Sequence, residues 1–130
     1  MNDKHLMSLH DIQNIIAALS SILFKIEDEN SKIEDYIKVI DDINHIKEIN
    51  KLNRFLLDIV KSEQRLTEEE EDLIYPYISI VHLNRYCSML NAPNIKQEKI
   101  NTYKDMICLT LQKYRIDLRG YMLIHYGKWE

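Results

Sequence analysis

Apolar side chains in the last third of the chain recur with the period of an α-helix. Their steps are three or four positions throughout, at Ile100, Tyr103, Ile107, Leu111, Tyr114, Leu118, Tyr121 and His125. Because an α-helix turns once every 3.6 residues, these side chains share one face. The spacing predicts one long C-terminal helix, ended by Gly127, a residue type that favours helix C-caps.

Residues that interrupt helices are scarce in this chain. It holds only two glycines and two prolines among 130 residues, which leaves little material for tight turns or many strands. A chain of this length is sufficient for one domain with a single core. We therefore predict an all-α fold: a single helical domain over residues 1–130, a bundle of about five helices with a long C-terminal helix.

Local signals divide the chain before that last helix. Apolar residues recur every three positions over residues 40–49, so on one straight helix they would not stay on a single face. This spacing predicts a break near residues 44–47. Residues 91–94, with the sequence NAPN, predict a loop, and Pro76 is expected to bend its helix or delay the helix start. Three pairs have capping-box spacing: Ser8 with Asp11, Ser31 with Glu34, and Thr67 with Glu70.

A stripe of basic residues precedes the third of these pairs. Its members are Lys47, Lys51, Arg54, Lys61 and Arg65, interrupted once by Asp58. Steps of three and four predict a helix that reaches about Arg65 with this stripe outward. The whole chain is acidic, with 17 Lys plus Arg against 21 Asp plus Glu. The stripe is therefore either a solvated face with i,i+4 ion pairs or a surface for a phosphate-bearing partner.

Residues 68–72 are five consecutive acids. Carboxylates in a first helical turn complement the helix dipole, which is the structural interpretation. The functional alternative is an anionic docking site or a metal cluster.

Several function classes lack their sequence signals. Cys87 and Cys108 do not form a CxxC pair, and no secretory segment opens the chain, so a reduced, cytoplasmic protein is expected. No apolar run approaches the ~18 residues that span a bilayer. The five histidines, at positions 5, 10, 45, 82 and 125, form no HExxH motif, and there is no glycine-rich phosphate loop. We expect no membrane association, cofactor, metal or small-molecule ligand.

One catalytic pattern does occur near the end of the chain. Arg119 and His125 are separated by five residues, which resembles the Arg-x4-6-His signature of HEPN-type ribonucleases. In such a site His acts as acid or base on a ribose 2′-hydroxyl, Arg holds the phosphate, and two copies join. His125 also lies on the same helix face as the apolar residues Ile100 to Tyr121, so the alternative is a buried or interfacial histidine.

Three longer stretches carry a second resemblance. They are residues 51–57 (KLNRFLL), 78–86 (ISIVHLNRY) and 118–128 (LRGYMLIHYGK). Their order and spacing are similar to those of the small helical, Csm-type subunit of type III CRISPR effector complexes. That family has a Lys-Leu-Arg-Asn-Leu stretch at the start of a core helix, an aliphatic helix with Arg and Tyr, and an aromatic C-terminus. Here Asn53 and Arg54 stand in swapped order.

The resemblance implies a non-catalytic RNA-binding subunit. Copies of the chain would stack on each other, pack against the CRISPR backbone subunits and face the guide RNA paired with its target RNA. Such a subunit needs cations on phosphates and no reactive group. The residues assigned to nucleic-acid binding are Lys47, Lys51, Arg54, Lys61, Arg65, Arg85, Arg115 and Arg119. The remaining alternative is a protein-binding inhibitor or immunity module of phage or bacterial origin that uses its acidic faces.

Overall fold

The computed structural model describes residues 6–62 and 65–128, which form helices and their connections without a strand. The helices are α1 Leu9–Glu27, α2 Ile33–Ile37, α3 Val39–Asn44, α4 Lys47–Lys61, α5 Glu68–Leu90 and α6 Gln97–Tyr126. Only Lys38 separates the two short helices α2 and α3. The predicted all-α bundle of about five helices with a long C-terminal helix is confirmed.

The four longer helices form a ring. Helix α1 contacts α4 and α6, and α5 contacts the same two helices. Within the described ranges no contact joins α1 to α5 or α4 to α6, so these pairs lie diagonally across the ring. The end of α6 lies beside the starts of α1 and α5, because Tyr126 bonds to the Met7 carbonyl and Tyr121 to Glu69. Both α1 and α5 are therefore antiparallel to α6.

Apolar side chains fill the inside of this ring. Ile12, Leu19, Leu56 and Leu118 are fully buried, and so is the large ring of Tyr114. Burial of apolar surface is the dominant favourable contribution to folding, so the 3.6-residue periodicity of each longer helix specifies which of its faces turns inward.

Two of the three predicted N-terminal caps are present. The Ser8 hydroxyl accepts from the Asp11 backbone N–H at 3.0 Å. Thr67 and Glu70 form both bonds of a capping box. These contacts satisfy backbone N–H groups that a helix start leaves without a partner.

The prediction that Ser31 caps the next helix with Glu34 is wrong. The Ser31 hydroxyl instead donates to the Ile26 carbonyl at 2.9 Å, in the last turn of α1. The cap position of α2 is Lys32, whose backbone N–H donates to the Asp35 carboxylate at 2.8 Å. The Ile26 carbonyl, one of the last four of α1, accepts from both the Ser31 and the Tyr36 hydroxyls, so Ser31 is used at the end of α1 and not as the cap of α2.

The predicted extension of the basic helix to Arg65 is also wrong. Helix α4 ends at Lys61, and the Ser62 hydroxyl donates to the Ile59 carbonyl at 2.7 Å, a local bond that competes with helix continuation. Residues 63 and 64 lie outside the described ranges. Arg65 belongs to the non-helical segment that precedes α5, so it does not share the outward face of α4.

The other predicted interruptions can be located directly. Helices α3 and α4 are separated by His45 and Ile46, of which Ile46 has an extended backbone, and Asn50 Nδ2 donates to the Asn44 carbonyl at 2.6 Å. Residues 91–94 lie in the connection between α5 and α6. Pro76 is buried inside α5 and does not delay its start at Glu68.

Candidate nucleic-acid interface

The outward face of α4 carries the first group of cations. Lys47, Lys51 and Arg54 line an open concavity together with Asn50, Phe55 and Asp58. This face forms because Ile49, Leu52 and Leu56 turn inward on the opposite side of the same helix. Lys51 Nζ also lies 3.4 Å from the Asp11 carboxylate at the start of α1, so the cationic face borders α1.

Two arginines of α6 border α1 on its other side. Arg115 Nη1 donates to the Ser20 hydroxyl at 3.1 Å. Arg119, one turn further along, lines a cleft of about 330 Å³ with Gln13, Ile16, Ala17 and Met122. The Nε atoms of both arginines are buried without a hydrogen-bond partner. Within the described residues, neither guanidinium is held by a carboxylate, and that of Arg115 is held by the Ser20 hydroxyl.

None of the chain's arginines forms an ion pair within residues 6–62 and 65–128. The ion pairs that occur there join lysines or His125 to Asp residues. Because the chain has four more acidic than basic residues, unpaired arginines are not a consequence of too few carboxylates. Their guanidinium groups are available to an anion from outside the chain.

The outer surface of α1 connects the two groups of cations. Between Asp11 and Glu27 the helix carries no acidic residue, and Lys25 is its only charged side chain. Beyond Asp11, which pairs with Lys51, a polyanion crossing α1 would therefore meet no carboxylate of this helix before Glu27. We call this region the α1-flanking surface, formed by Lys47, Lys51, Arg54, Arg115 and Arg119.

The remaining residues assigned from the sequence lie elsewhere. Lys61 is exposed in the last turn of α4, and Arg65 is exposed in the segment that follows. Arg85 is exposed on α5, which lies diagonally across the ring from α1, so it does not join the α1-flanking surface. Asn50, Phe55, Gln13 and Met122 line the same depressions as the cations, and no charge pattern in the sequence points to them.

His125 and Arg119 do not face a common site within one chain. His125 Nε2 lies 2.8 Å from Asp72 of α5, whereas Arg119 lines the cleft against α1. The His125 side chain is only 13% exposed, and its ring centroid lies 4.6 Å from that of Tyr121. This geometry fits the alternative of a partly buried, hydrogen-bonded histidine.

Three of the five acids at residues 68–72 make contacts that stabilise the fold. Glu70 closes the capping box, Asp72 meets His125, and Glu69 accepts from both the Tyr121 hydroxyl and the Leu6 backbone N–H. Within the described ranges, no group of three or more His, Cys, Asp or Glu side chains is placed to hold a metal ion.

Neither Cys87 nor Cys108 is activated as a nucleophile. Burial raises the pKa of the Cys87 thiol to about 11, and it donates to the Tyr36 carbonyl at 3.4 Å. Burial also raises the pKa of Cys108. Both thiols are therefore protonated at neutral pH, and the thiolate is the reactive form.

The fold and the surface define a class rather than a particular protein: an all-helical bundle with cations on both sides of its first helix. No protein-family model, curated protein or solved structure matches the chain. In the described part of the chain, no helix has the length and apolar character needed to cross a membrane.

Proposed function

We propose that this protein is a non-catalytic RNA-binding subunit of a type III CRISPR effector complex, acting in antiviral defence in the cytoplasm. It would lie along the duplex of guide RNA and target RNA and stabilise target binding. The proposal joins the sequence resemblance to one structural observation, which is the set of unpaired arginines beside α1.

The α1-flanking surface has the chemistry that RNA backbone binding requires. A-form RNA is recognised mainly through its shape, its phosphates and its 2′-hydroxyl groups. Lys47, Lys51 and Arg54 lie on one side of α1, and Arg115 and Arg119 on the other. Cations at these places position a phosphate backbone without reading its sequence. A subunit that binds any guide needs this kind of contact.

The opposite side of the ring has different chemistry. Leu57 and Val60 of α4, with Ile78 and Val81 of α5, expose roughly half of their side-chain surface. Exposed apolar residues grouped in this way mark protein contacts in many proteins. A protein contact on the α4–α5 side and RNA on the α1 side agree with a subunit that lies between backbone subunits and a duplex.

The net charge also agrees with binding inside an assembly. The chain carries a formal net charge of −4, which opposes long-range attraction of free RNA. We therefore expect weak RNA binding by the isolated protein and stronger binding once partner subunits hold the duplex in place.

Co-purification of a tagged copy from the native host tests this proposal. The bound proteins are identified by mass spectrometry and the bound nucleic acid is extracted and sequenced. Recovery of CRISPR backbone subunits with guide RNA is the expected result. A single protein partner without RNA would overturn the proposal and favour the inhibitor or immunity class.

Charge-reversal variants then test the surface. Arg54→Glu and Arg119→Glu should each lower the recovery of RNA while the protein partners remain. Arg85→Glu is the matched control, because it reverses the same exposed charge on the helix diagonal to α1. An equal loss of RNA in all three variants would contradict the assignment of the α1-flanking surface.

A further inference from the structure

The solvent side of α6 carries a regular apolar stripe. Leu109, Ile116 and Leu123 follow one another at intervals of seven residues and are 59%, 56% and 50% exposed. Seven residues are close to two helical turns, so the three side chains lie in one line along the helix. This line faces away from the ring that α1 and α5 form with α6.

Gly120 lies on the same stripe, between Ile116 and Leu123. A Cβ atom added at Gly120 would meet no other atom within 4 Å. The fold of the single chain therefore does not require a glycine here, and a glycine inside a helix is less favourable than an alanine. A small residue on an exposed helix face allows the close approach of another helix.

We infer that the stripe binds the same stripe of a second copy, with the two α6 helices antiparallel about a two-fold axis at Ile116. In this arrangement Ile116 meets Ile116 of the second copy. Leu109 then meets Leu123 of the second copy at the same height along the helix, because both lie seven residues from the axis. Such a self-complementary patch is the form of interface that a two-fold dimer needs.

The charges beside the stripe support a second copy as the occupant. Lys113 and Asp117 form an ion pair at 2.8 Å. They flank the stripe on its α5 side, since Lys113 Nζ lies over the Tyr75 ring and Asp117 lines a groove with Tyr75. A two-fold axis that relates two antiparallel α6 helices places the α5 side of one copy beside the α5 side of the other. Measured along the helix direction, each Lys113 then lies about 3 Å from Asp117 of the other copy, which the long Lys113 side chain can reach. The helix dipoles are opposed in the same arrangement, which is favourable.

The dimer would also bring together arginines that we assign to RNA binding. Arg115 and Arg119 flank α6 on its α1 side. The same rotation places the arginine pairs of both copies along one edge of the dimer. This consequence rests on the proposed function, whereas the dimer itself does not.

Disulfide cross-linking of the full chain tests the geometry without RNA. In a background with Cys87→Ala and Cys108→Ala, the variant Ile116→Cys should oxidise to a covalent dimer. Helix axes ~8–10 Å apart bring the two Cα atoms at the axis into disulfide range. Leu109→Cys alone should not cross-link, because its two copies lie ~21 Å apart along the axis. Mixing Leu109→Cys with Leu123→Cys should restore the cross-link.

Two other outcomes would overturn the inference. Absence of the Ile116→Cys dimer, measured against Ser21→Cys on α1 as the collision control, excludes contact at the axis. Self-cross-linking of Leu109→Cys, Ile116→Cys and Leu123→Cys alike would show a parallel arrangement instead.

A volume variant separates assembly from folding. A Cβ atom at Gly120 meets nothing within 4 Å in the single chain, so Gly120→Leu should preserve the fold, and the thermal midpoint of the monomer should not fall. The molar mass by light scattering should fall from that of a dimer to that of a monomer. Ser21→Leu, exposed on α1, should leave the dimer mass unchanged. A wild-type protein that stays monomeric, or a Gly120→Leu variant that stays dimeric, would overturn the proposal. Because RNA is absent from both experiments, their failure is distinct from failure of the proposed function.

Discussion

The imidazole Nε2 of His125 lies 2.8 Å from a carboxylate oxygen of Asp72 and joins the last turn of α6 to the start of α5. The His125 ring also contacts the Tyr121 ring in a tilted arrangement, and the Tyr121 hydroxyl donates to Glu69, one turn before Asp72. Both hydrogen bonds cross from the end of α6 to the N-terminal part of α5, and the ring contact joins two residues of α6. The contact between His125 and Asp72 therefore stabilises the packing of these two helix ends.

Removal of this contact should destabilise the fold. We expect His125→Ala to lower the free energy of unfolding by about 1–2 kcal/mol, because a partly buried hydrogen bond and a ring contact are lost. Urea denaturation followed by circular dichroism measures the change. In a double-mutant cycle with Asp72→Ala, the two losses should add to more than the loss in the double variant. Additive losses would show that the two side chains do not interact.

The two glycines should respond to alanine with opposite signs. Gly127 adopts a left-handed conformation, with φ of 66°, as the cap residue of α6. Gly127→Ala should therefore cost about 1 kcal/mol of stability. Gly120→Ala should stabilise the monomer by about 0.5–1 kcal/mol, since it lies inside a helix with open space around it. Thermal unfolding at low protein concentration compares the two, and equal shifts in one direction would contradict the difference in backbone geometry.

Alkaline pH should remove the stability associated with Cys87. Burial raises the pKa of its thiol from an ordinary value of 9.0 to about 11. Below pH 9 the thiol is protonated in both states, so its contribution to stability is fully present. Between pH 9 and 11 the unfolded chain loses the proton first, which costs about 2–3 kcal/mol of folding stability.

The variant Cys87→Ala isolates this effect. It should be less stable than the wild type at pH 8, because a packed side chain is lost, and the difference should shrink by about 2 kcal/mol at pH 11. Denaturant titrations at both pH values measure it. Tyrosines that also ionise at high pH remain in both proteins, so they cancel in the comparison. A pH-independent difference would show that the thiol titrates normally in the folded state.

The salt dependence of RNA binding should report individual phosphate contacts. For the isolated chain or the assembled complex, Arg54→Gln and Arg119→Gln should each reduce the slope of log affinity against log salt by about one. Affinity for different RNA sequences should fall by the same factor. Arg85→Gln should leave the slope unchanged. A change that depends on RNA sequence would indicate base contacts at that arginine instead.

The helical fold follows from local patterns in the sequence. The spacing of apolar residues in α6 and the Thr67–Glu70 capping box depend on neighbours within a few positions, so each is visible without a tertiary structure. Local patterns were less reliable where two partners compete for one group. Ser31 bonded backward to Ile26 rather than capping α2, and Ser62 helped to end α4 before Arg65.

The candidate surface depends on which helices are neighbours, and periodicity does not carry that information. From the sequence, nucleic-acid binding was assigned to a set of cations that includes Lys51, Arg54, Arg115 and Arg119. Only the ring arrangement places them on both sides of α1 and leaves Arg85 diagonally across from it. The same holds for Asp72 and His125, which are 53 positions apart. A helix determines its own buried face through its period, whereas its neighbours are selected by packing of the whole core. Long-range pairs are therefore decided by the tertiary structure.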